Sequence, residues 1–325
     1  MTDDGCGGNV YCDACGWSCS TGAAGDAGGP EVAILFSGLG ASVELSDTWA
    51  LLGNEWTELS ATGPSARDGA VVGSLFGGLI LFGGHQVTPT GHVALGDTWA
   101  WNGGAWTELD VAGPPPRSLA VMAPLNGELV LFGGIDAGGN NFTDTWTWNG
   151  ARWTELAVSG PPSGAGAVMA PFQGKLVLFG GFVGGQLSDT WTWDGTAWSE
   201  LPVSGPDVAV GPSMAPLGGK LVLLGSVLDA TWMSETWTWD GSAWTELGVL
   251  GPPARLWATL TPIDGVLVLF GGIVPTSECE PGVTCDPGPG SVLADTWTWD
   301  GTAWTELAVT GPPARAEAVA GAMSF

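Results

Sequence analysis

Basic residues are scarce in this chain of 325 residues. Seven Lys and Arg stand against 33 Asp and Glu, which gives a formal net charge of −26. A protein this acidic repels phosphate backbones and anionic lipid headgroups, so the charge argues against nucleic-acid partners and against docking on membranes. The sequence also lacks any run of about 20 apolar residues, so it predicts no membrane-spanning segment.

Charged residues of both signs make up only 12% of the chain, so the surface must consist largely of Thr, Ser, Gly and Asn. Such a surface is typical of a secreted protein, and we expect an extracellular or cell-surface location. The N-terminal stretch MTDDGCGGNVYC lacks the basic and apolar regions of a signal peptide. Export would therefore depend on a peptide upstream of this sequence or on another route.

Catalytic residue types are few, with two His and one Tyr. His85 and His92 lie in one stretch, HQVTPTGH, so no Ser-His-Asp arrangement can be assembled from separate parts of the chain. The two imidazoles could share a metal ion, but we interpret the stretch as an exposed loop and predict no metal site. Phosphate loops and dinucleotide fingerprints are also lacking. We therefore predict that the protein is not an enzyme and has no cofactor.

Tryptophan and glycine are abundant, with 20 and 55 residues, and they recur in a pattern. An acid-Thr-Trp triplet occurs six times, at intervals of 50, 47, 45, 46 and 60 residues. The triplets begin at Asp47, Asp97, Asp144, Asp189, Glu235 and Asp295. A period of this length, with four short strand candidates in each unit, is typical of the blades of a β-propeller.

The last two strands of each unit predict a packed aromatic face. Asp300-Gly301 reads as a two-residue hairpin turn, which would place Trp297 opposite Trp304. A second Trp follows the first by seven residues in every unit, and we expect all of these side chains to pack between blades. They are Trp49, Trp56, Trp99, Trp106, Trp146, Trp153, Trp191, Trp198, Trp237, Trp244, Trp297 and Trp304.

The two ends of the repeat region predict how the ring closes. The first unit begins at its second strand, EVAILFSG (31–38), and the strand that it lacks is supplied by AEAVAGAMSF (316–325). One blade would then combine both ends of the domain and leave no open sheet edge. We therefore predict an all-β, six-bladed propeller with four-stranded blades over residues 31–325.

The repeat resembles the kelch-repeat family, because an apolar run ends in Gly-Gly and is followed by the spaced aromatic pair. Two units depart from this pattern, with Ser37-Gly38 and Gly225-Ser226. The resemblance implies the propeller fold, but the family includes oxidases, sugar-binding proteins and protein-interaction modules. Its copper oxidases use two tyrosines, and this chain has only Tyr11, which lies outside the repeats. The resemblance therefore does not imply copper chemistry here.

Two kinds of charged residue recur with the repeat. The hairpin register would place Asp295 opposite Glu306, and six equivalent pairs favour a structural role, or surface Ca²⁺ binding, over acid–base catalysis. Four of the five arginines follow a Gly-Pro turn and would lie near one mouth of the channel. They are Arg67, Arg117, Arg255 and Arg315. Either they bind an acidic peptide or a glycan there, or each pairs with a repeat carboxylate.

Residues 1–30 form a Gly-rich, Cys-rich tail outside the repeats, and a second pair of cysteines lies in the insertion at 274–291. In an exported protein we expect these cysteines to form disulfides. They are Cys6, Cys12, Cys15, Cys19, Cys279 and Cys285. The tail suggests a structural or adhesive protein that assembles with copies of itself into a fibre or surface layer. The alternative is a monomeric propeller that binds a glycan or an acidic peptide.

Self-assembly predicts that particle mass depends on the tail. The full chain should form oligomers or filaments, and a chain that begins at Pro30 should be monomeric, as measured by light scattering and negative-stain microscopy. Monomers in both samples would contradict assembly through the tail.

Overall fold

The computed structural model describes residues 31–89, 91–162, 164–208, 211–226, 234–274 and 292–324, and over these ranges it is all-β. Six four-stranded antiparallel sheets are arranged as the blades of a propeller. The prediction of a six-bladed propeller is therefore confirmed. Within the described ranges, no helix has the length and apolar character that a membrane span requires.

Each blade contains four strands that follow one another from the channel outward, and a small hairpin is added in blade 2. Blade 1 contains β1 (Glu31–Phe36), β2 (Thr48–Leu52), β3 (Glu55–Leu59) and, as its innermost strand, β26 (Val319–Ser324). Blade 2 contains β4 (Val71–Leu75), β5 (Gly78–Phe82), β8 (Thr98–Trp101) and β9 (Trp106–Leu109), with the hairpin β6 (His85–Thr88) and β7 (Gly91–Ala94) between β5 and β8. Blade 3 contains β10 (Val121–Leu125), β11 (Glu128–Phe132), β12 (Thr145–Trp148) and β13 (Trp153–Leu156).

The remaining three blades have the same strand order. Blade 4 contains β14 (Ala167–Phe172), β15 (Lys175–Gly180), β16 (Thr190–Trp193) and β17 (Trp198–Leu201). Blade 5 contains β18 (Ser213–Leu217), β19 (Lys220–Ser226), β20 (Ser234–Trp239) and β21 (Trp244–Leu247). Blade 6 contains β22 (Thr259–Ile263), β23 (Val266–Phe270), β24 (Thr296–Trp299) and β25 (Trp304–Leu307).

The predicted ring closure is also confirmed. β1 pairs antiparallel with β26 along its whole length, from Glu31 opposite Ser324 to Phe36 opposite Val319. Both ends of the repeat region thus lie in one blade, and the ring has no gap between its first and last units.

The second strand of every blade is buried on both faces, because a neighbouring blade covers each side. In β5, for example, all five residues of GLILF are buried. A strand that is covered on both faces needs apolar side chains at successive positions rather than at alternate ones. This requirement explains the repeated runs ELVLF, KLVLF and VLVLF.

Tryptophan joins each blade to the preceding one. The second Trp of the unit is buried and donates its Nε1–H to the Thr of the preceding blade's acid-Thr-Trp triplet, at 2.9–3.1 Å. The six pairs are Trp56–Thr296, Trp106–Thr48, Trp153–Thr98, Trp198–Thr145, Trp244–Thr190 and Trp304–Thr236. Five of the same indoles contact a Phe of the preceding blade's second strand at 5.0–5.3 Å between ring centroids.

The first Trp of each unit lies at the margin of the same inter-blade clusters. Trp49, for example, is half-buried and packs against the cluster that holds Trp56 and Phe270. The equivalent residues contact the other five clusters in the same way. They are Trp99, Trp146, Trp191, Trp237 and Trp297.

The predicted register of the outer hairpin is wrong. Trp299, not Trp297, lies opposite Trp304, and Trp297 lies opposite Glu306. The turn has four residues instead of two, because the Asp300 carboxylate accepts hydrogen bonds from the backbone N–H groups of Thr302 (2.7 Å) and Ala303 (2.8 Å). Asp295 and Glu306 consequently do not face each other, so the predicted carboxylate pair does not form.

The buried Trp–Thr hydrogen bond should contribute measurably to stability. Thr98→Val keeps the shape of the side chain but leaves the Nε1–H of Trp153 without an acceptor, which we expect to lower the free energy of unfolding by about 1–3 kcal/mol. Thr154→Val, at an exposed position of β13, is the matched control and should change it by less than about 0.5 kcal/mol. Equal effects of the two substitutions in urea unfolding would contradict the role of the bond.

Candidate functional site

The irregular segments of the propeller are concentrated at one end, which we call the loop face. It is formed by the segments between the second and third strands of the blades, such as 37–47, 83–97 and 133–144, and by the segments that lead into each first strand. The opposite end has mostly short turns between adjacent strands. Differences between the six units therefore lie mainly on the loop face.

The four repeated arginines are buried beneath the loop face. Arg117 donates from Nη1 and Nη2 to the two carboxylate oxygens of Asp144, at 2.6 and 2.8 Å. Its remaining bonds go to the carbonyl oxygens of Gly133 (2.9 Å) and Pro115 (3.0 Å). The same arrangement joins Arg67 to Asp97, Arg255 to Asp295 and Arg315 to Asp47.

This geometry decides between the two roles that the sequence left open for these arginines. None of the four is more than 3% exposed, and their guanidinium groups bond mainly to carboxylate and carbonyl oxygens of the same blade. Because they are buried, they cannot contact an acidic peptide or a glycan at the surface. The predicted ligand site at Arg67, Arg117, Arg255 and Arg315 is thus replaced by a structural role, in which each arginine fastens the segment before a blade to the third strand of that blade.

The carboxylates of these pairs stay ionised well into the acid range. Burial alone would raise the pKa of Asp144, but hydrogen bonds from Arg117 and Trp146, together with the arginine's charge, outweigh it and hold the pKa below its usual value. The pKa values of Asp47, Asp97 and Asp295 are lowered for the same reasons.

Blades 4 and 5 lack this arginine, with Gly164 and Ala209 at the equivalent positions. In blade 5, Glu235 still accepts a hydrogen bond from Nε1 of Trp237 at 2.8 Å. In blade 4, Nε1 of Trp191 is buried and has no hydrogen-bond partner among the described residues. Asp189 of that blade is half-buried and has no arginine beside it.

A ring of six residues surrounds the channel at the loop face, one from the segment before each blade's first strand. We call it the channel ring: Gly69, Leu119, Gly166, Gly211, Trp257 and Glu317. Backbone hydrogen bonds of 2.8–3.4 Å join five neighbouring pairs of its members. The indole of Trp257 lies over Gly211, where a Cβ atom would come within 2.5 Å of Cδ2, so glycine leaves the room that this side chain needs.

The three larger residues of the ring adopt a backbone conformation that favours glycine. Leu119, Trp257 and Glu317 have φ angles of 54°, 58° and 52°. Side chains in this left-handed region carry a conformational cost, and such residues often occur at binding sites. The loop face is therefore the part of the molecule that combines strained backbone conformations, irregular loops and the two blades that lack the repeated arginine.

Titratable side chains meet between blades 1 and 2 at the edge of the channel ring. Nδ1 of His85 contacts Oδ1 of Asp68, which is 1% exposed. Burial acts to lower the pKa of His85, but the hydrogen bond and charge of Asp68 and the charges of Glu317 and Glu44 raise it. The pKa of Glu317 is also raised, mainly by burial and then by the charge of Asp68.

The two histidines do lie together, as their spacing suggested. They occupy the two strands of the β6–β7 hairpin, and their ring centroids are 5.2 Å apart. His85, however, meets Asp68 and Glu44, which lie in other segments of the chain, and no local motif pointed to this group. The six cysteines and Tyr11 lie outside the described residues, so the disulfide and tail hypotheses stay predictions from the sequence. Surface Ca²⁺ binding by the repeat carboxylates also stays a prediction.

The arginine pairs predict acid-sensitive stability. Arg117→Met leaves the Asp144 carboxylate buried without its partner and should lower the free energy of unfolding at neutral pH by about 3 kcal/mol. The folded-state pKa of Asp144 is lowered, so the pair stabilises the protein above the unfolded pKa of about 3.9, and this contribution is lost as the pH falls through the folded pKa. The difference in the free energy of unfolding between Arg117→Met and the unmodified protein should therefore narrow below about pH 4.

Arg152→Met is the matched control, because Arg152 is exposed, and it should change stability by less than about 0.5 kcal/mol. Urea unfolding as a function of pH tests both variants. If the free energies of unfolding of Arg117→Met and the unmodified protein differ by the same amount at every pH, the assigned ion pair is contradicted.

Comparison with known proteins agrees with this architecture. Residues 101–272, more than half of the chain, match the family profile described as the KLHDC2/KLHL20/DRC7 Kelch-repeats domain. No curated protein matched the chain. With six four-stranded blades closed into a ring and a family match that runs from blade 2 into blade 6, the chain belongs to the Kelch-repeat family.

Proposed function

We propose that this protein is a non-enzymatic, exported binding propeller that takes a basic side chain of a partner protein, foremost an arginine, on the loop face of blade 4. Kelch-repeat propellers are usually protein-interaction modules, which supports the general class. The observation that carries the proposal is the missing arginine of blade 4. In four other blades an internal guanidinium fills the corresponding position.

The acceptor of that position is retained in blade 4, although its donor is missing. Asp189 is the counterpart of Asp144, whose carboxylate accepts two hydrogen bonds from Arg117. Gly164 stands in place of the arginine and contributes no side chain. A half-buried carboxylate without a charged partner carries a cost that an incoming cation relieves.

The indole of Trp191, two residues after Asp189, also indicates that the arginine position of blade 4 is the binding site. The equivalent Trp donates to the acid of its own triplet in each of the other five blades, at 2.6–2.8 Å. In blade 4, the Nε1–H of Trp191 is buried without a partner among the described residues. A guanidinium that binds Asp189 would hold the carboxylate in the orientation seen in the other blades, where it also accepts from the indole.

Blade 5 is less suitable for a ligand, although it also lacks the arginine. Val208 is 2% exposed and fills the space against Gly225, where a Cβ atom would come within 2.6 Å of the valine side chain. Glu235 already has Trp237 as a donor. Val208 fills the space and the Trp237 indole already has an acceptor, so a cation would gain less binding free energy in blade 5 than in blade 4.

The charge of the protein favours a basic partner. A net charge of −26 attracts cations over long distances and raises the rate of encounter at low ionic strength. Arginine suits the position better than lysine does, since its planar fork forms the two parallel bonds that the internal arginines form in the other blades. This proposal differs from the acidic ligand expected from the sequence, because the arginines on which that expectation depended are buried.

Binding can be tested with short peptides that carry one arginine between Gly and Ser residues, and with matched peptides in which citrulline replaces the arginine. The arginine peptides should bind in calorimetric titrations, more weakly at high salt, and the citrulline peptides should not. Asp189→Asn should weaken binding at least about tenfold, since a hydrogen bond to a charged group contributes about 1.5–3 kcal/mol.

Glu200→Gln is the matched control for this experiment. It removes the same charge from an exposed position of β17 in the same blade, and it should leave the affinity within about twofold, because exposed charges interact weakly. If the two variants lose affinity equally, or if citrulline peptides bind as well as arginine peptides, the assignment to blade 4 is wrong.

A further inference from the structure

We propose that Glu44, Asp68 and His85 form a binding site for one divalent transition-metal ion on the loop face, between blades 1 and 2. The three residues come from the segment 37–47 of blade 1, the segment before β4, and β6. One ligand atom of each lies within 4.8 Å of the others. This site is separate from the arginine position in blade 4, and neither proposal depends on the other.

Asp68 shows that the group is more than a surface cluster of acids. The residue is 1% exposed, and its Oδ1 is buried. That oxygen lies against Nδ1 of His85. Buried carboxylate oxygens nearly always have a hydrogen-bond donor or a metal ion as partner. An ion bound here would take the place of the proton between these two atoms, because a ligating imidazole nitrogen must be deprotonated.

The backbone holds the three ligands in place before any ion binds. Asp68 and His85 exchange backbone hydrogen bonds of 3.1 and 2.9 Å, which fixes the two residues side by side. Oε1 of Glu44 accepts from the backbone N–H of Val87 at 2.6 Å, and Nε2 of Gln86 donates to the carbonyl of Ala66 at 2.6 Å. A site whose ligands are fixed in this way loses less conformational entropy when it binds an ion.

The ligand types indicate the class of ion. One imidazole nitrogen and two carboxylates suit borderline divalent ions such as Zn²⁺, Co²⁺ and Mn²⁺, whereas Ca²⁺ prefers an all-oxygen shell. Three protein ligands leave positions for water, and the half-exposed His85 and Glu44 lie on the side from which an ion would enter. Two carboxylates balance the charge of a divalent ion.

His92 is not one of the proposed ligands, although its ring lies 5.2 Å from that of His85. It is exposed on β7, opposite Val87. Two histidines on one hairpin would bind an ion with no contribution from blade 1, whereas the proposed site joins blade 1 to blade 2. The two arrangements therefore differ in which substitutions abolish binding.

Co²⁺ is the best probe, because its absorption spectrum distinguishes nitrogen and oxygen ligands from the thiolates of the cysteine-rich tail. We expect the full chain to bind one Co²⁺ with the weak visible bands of a nitrogen and oxygen site, in addition to any intense thiolate bands in the near-ultraviolet. A spectrum that contains thiolate bands alone, or no spectrum, would overturn the proposal. An excess of Ca²⁺ should not displace the ion, and displacement by Ca²⁺ would overturn the assigned class of metal.

Three substitutions locate the site. Asp68→Asn, His85→Gln and Glu44→Gln should each weaken Co²⁺ binding at least about tenfold, the lower end of the effect known for residues that merely orient a ligand. His92→Gln is the matched control on the same hairpin and should leave the affinity unchanged. A loss in His92→Gln equal to that in His85→Gln would replace the three-residue site with a two-histidine site.

A stability measurement keeps the test valid if a variant folds poorly. Co²⁺ or Zn²⁺ should raise the melting temperature of the unmodified protein and of His92→Gln, because an ion that binds only the folded state stabilises it. The three ligand variants should not respond to the ion. A rise in the melting temperature of Asp68→Asn as large as that of the unmodified protein would contradict the role of Asp68.

Discussion

Every blade of this propeller has two apolar faces, and each face can be buried only against another blade. The Trp–Thr hydrogen bond between neighbouring blades shows how this constraint is met, since the indole of Trp153 fills the apolar interface while its one polar atom bonds to Thr98 of the preceding blade. A side chain this large is buried without cost only if its N–H has an acceptor. The acid-Thr-Trp triplet and the second Trp are therefore parts of one contact, and this contact explains why both are repeated six times.

The architecture could be predicted from the sequence because it depends on features that recur. The number of triplets gives the number of blades. The repeat region begins at Glu31 with the second strand of its first unit, and this missing first strand shows where the ring closes. The turn at Asp300 could not be read in the same way, because its length depends on side-chain bonds to Thr302 and Ala303 that compete with the two-residue turn. The Thr acceptors were also missed, since their partners lie in another blade.

The two proposed functional sites are features that the repeat does not predict. The arginines that precede four of the blades suggested a ligand site, but all four pair with an aspartate of their own blade. The informative difference is that no arginine lies beside Asp189. Asp68, His85 and Glu44 come from three segments with no shared motif, and only the fold brings them together. Repetition thus reports on packing, whereas both proposed sites lie where the repetition fails.

The pairing of β1 with β26 also affects how the ring assembles. The two strands are separated by almost the whole repeat region, yet β26 is the innermost strand of blade 1. During synthesis blades 2 to 6 can form in order, each against the previous one, whereas the inner edge of β1 stays unpaired until the final strand emerges. Contacts between residues so far apart along the chain form slowly. We therefore expect completion of the ring to be a late step, and until then the nascent protein carries an unpaired strand edge at β1 to which another chain could pair.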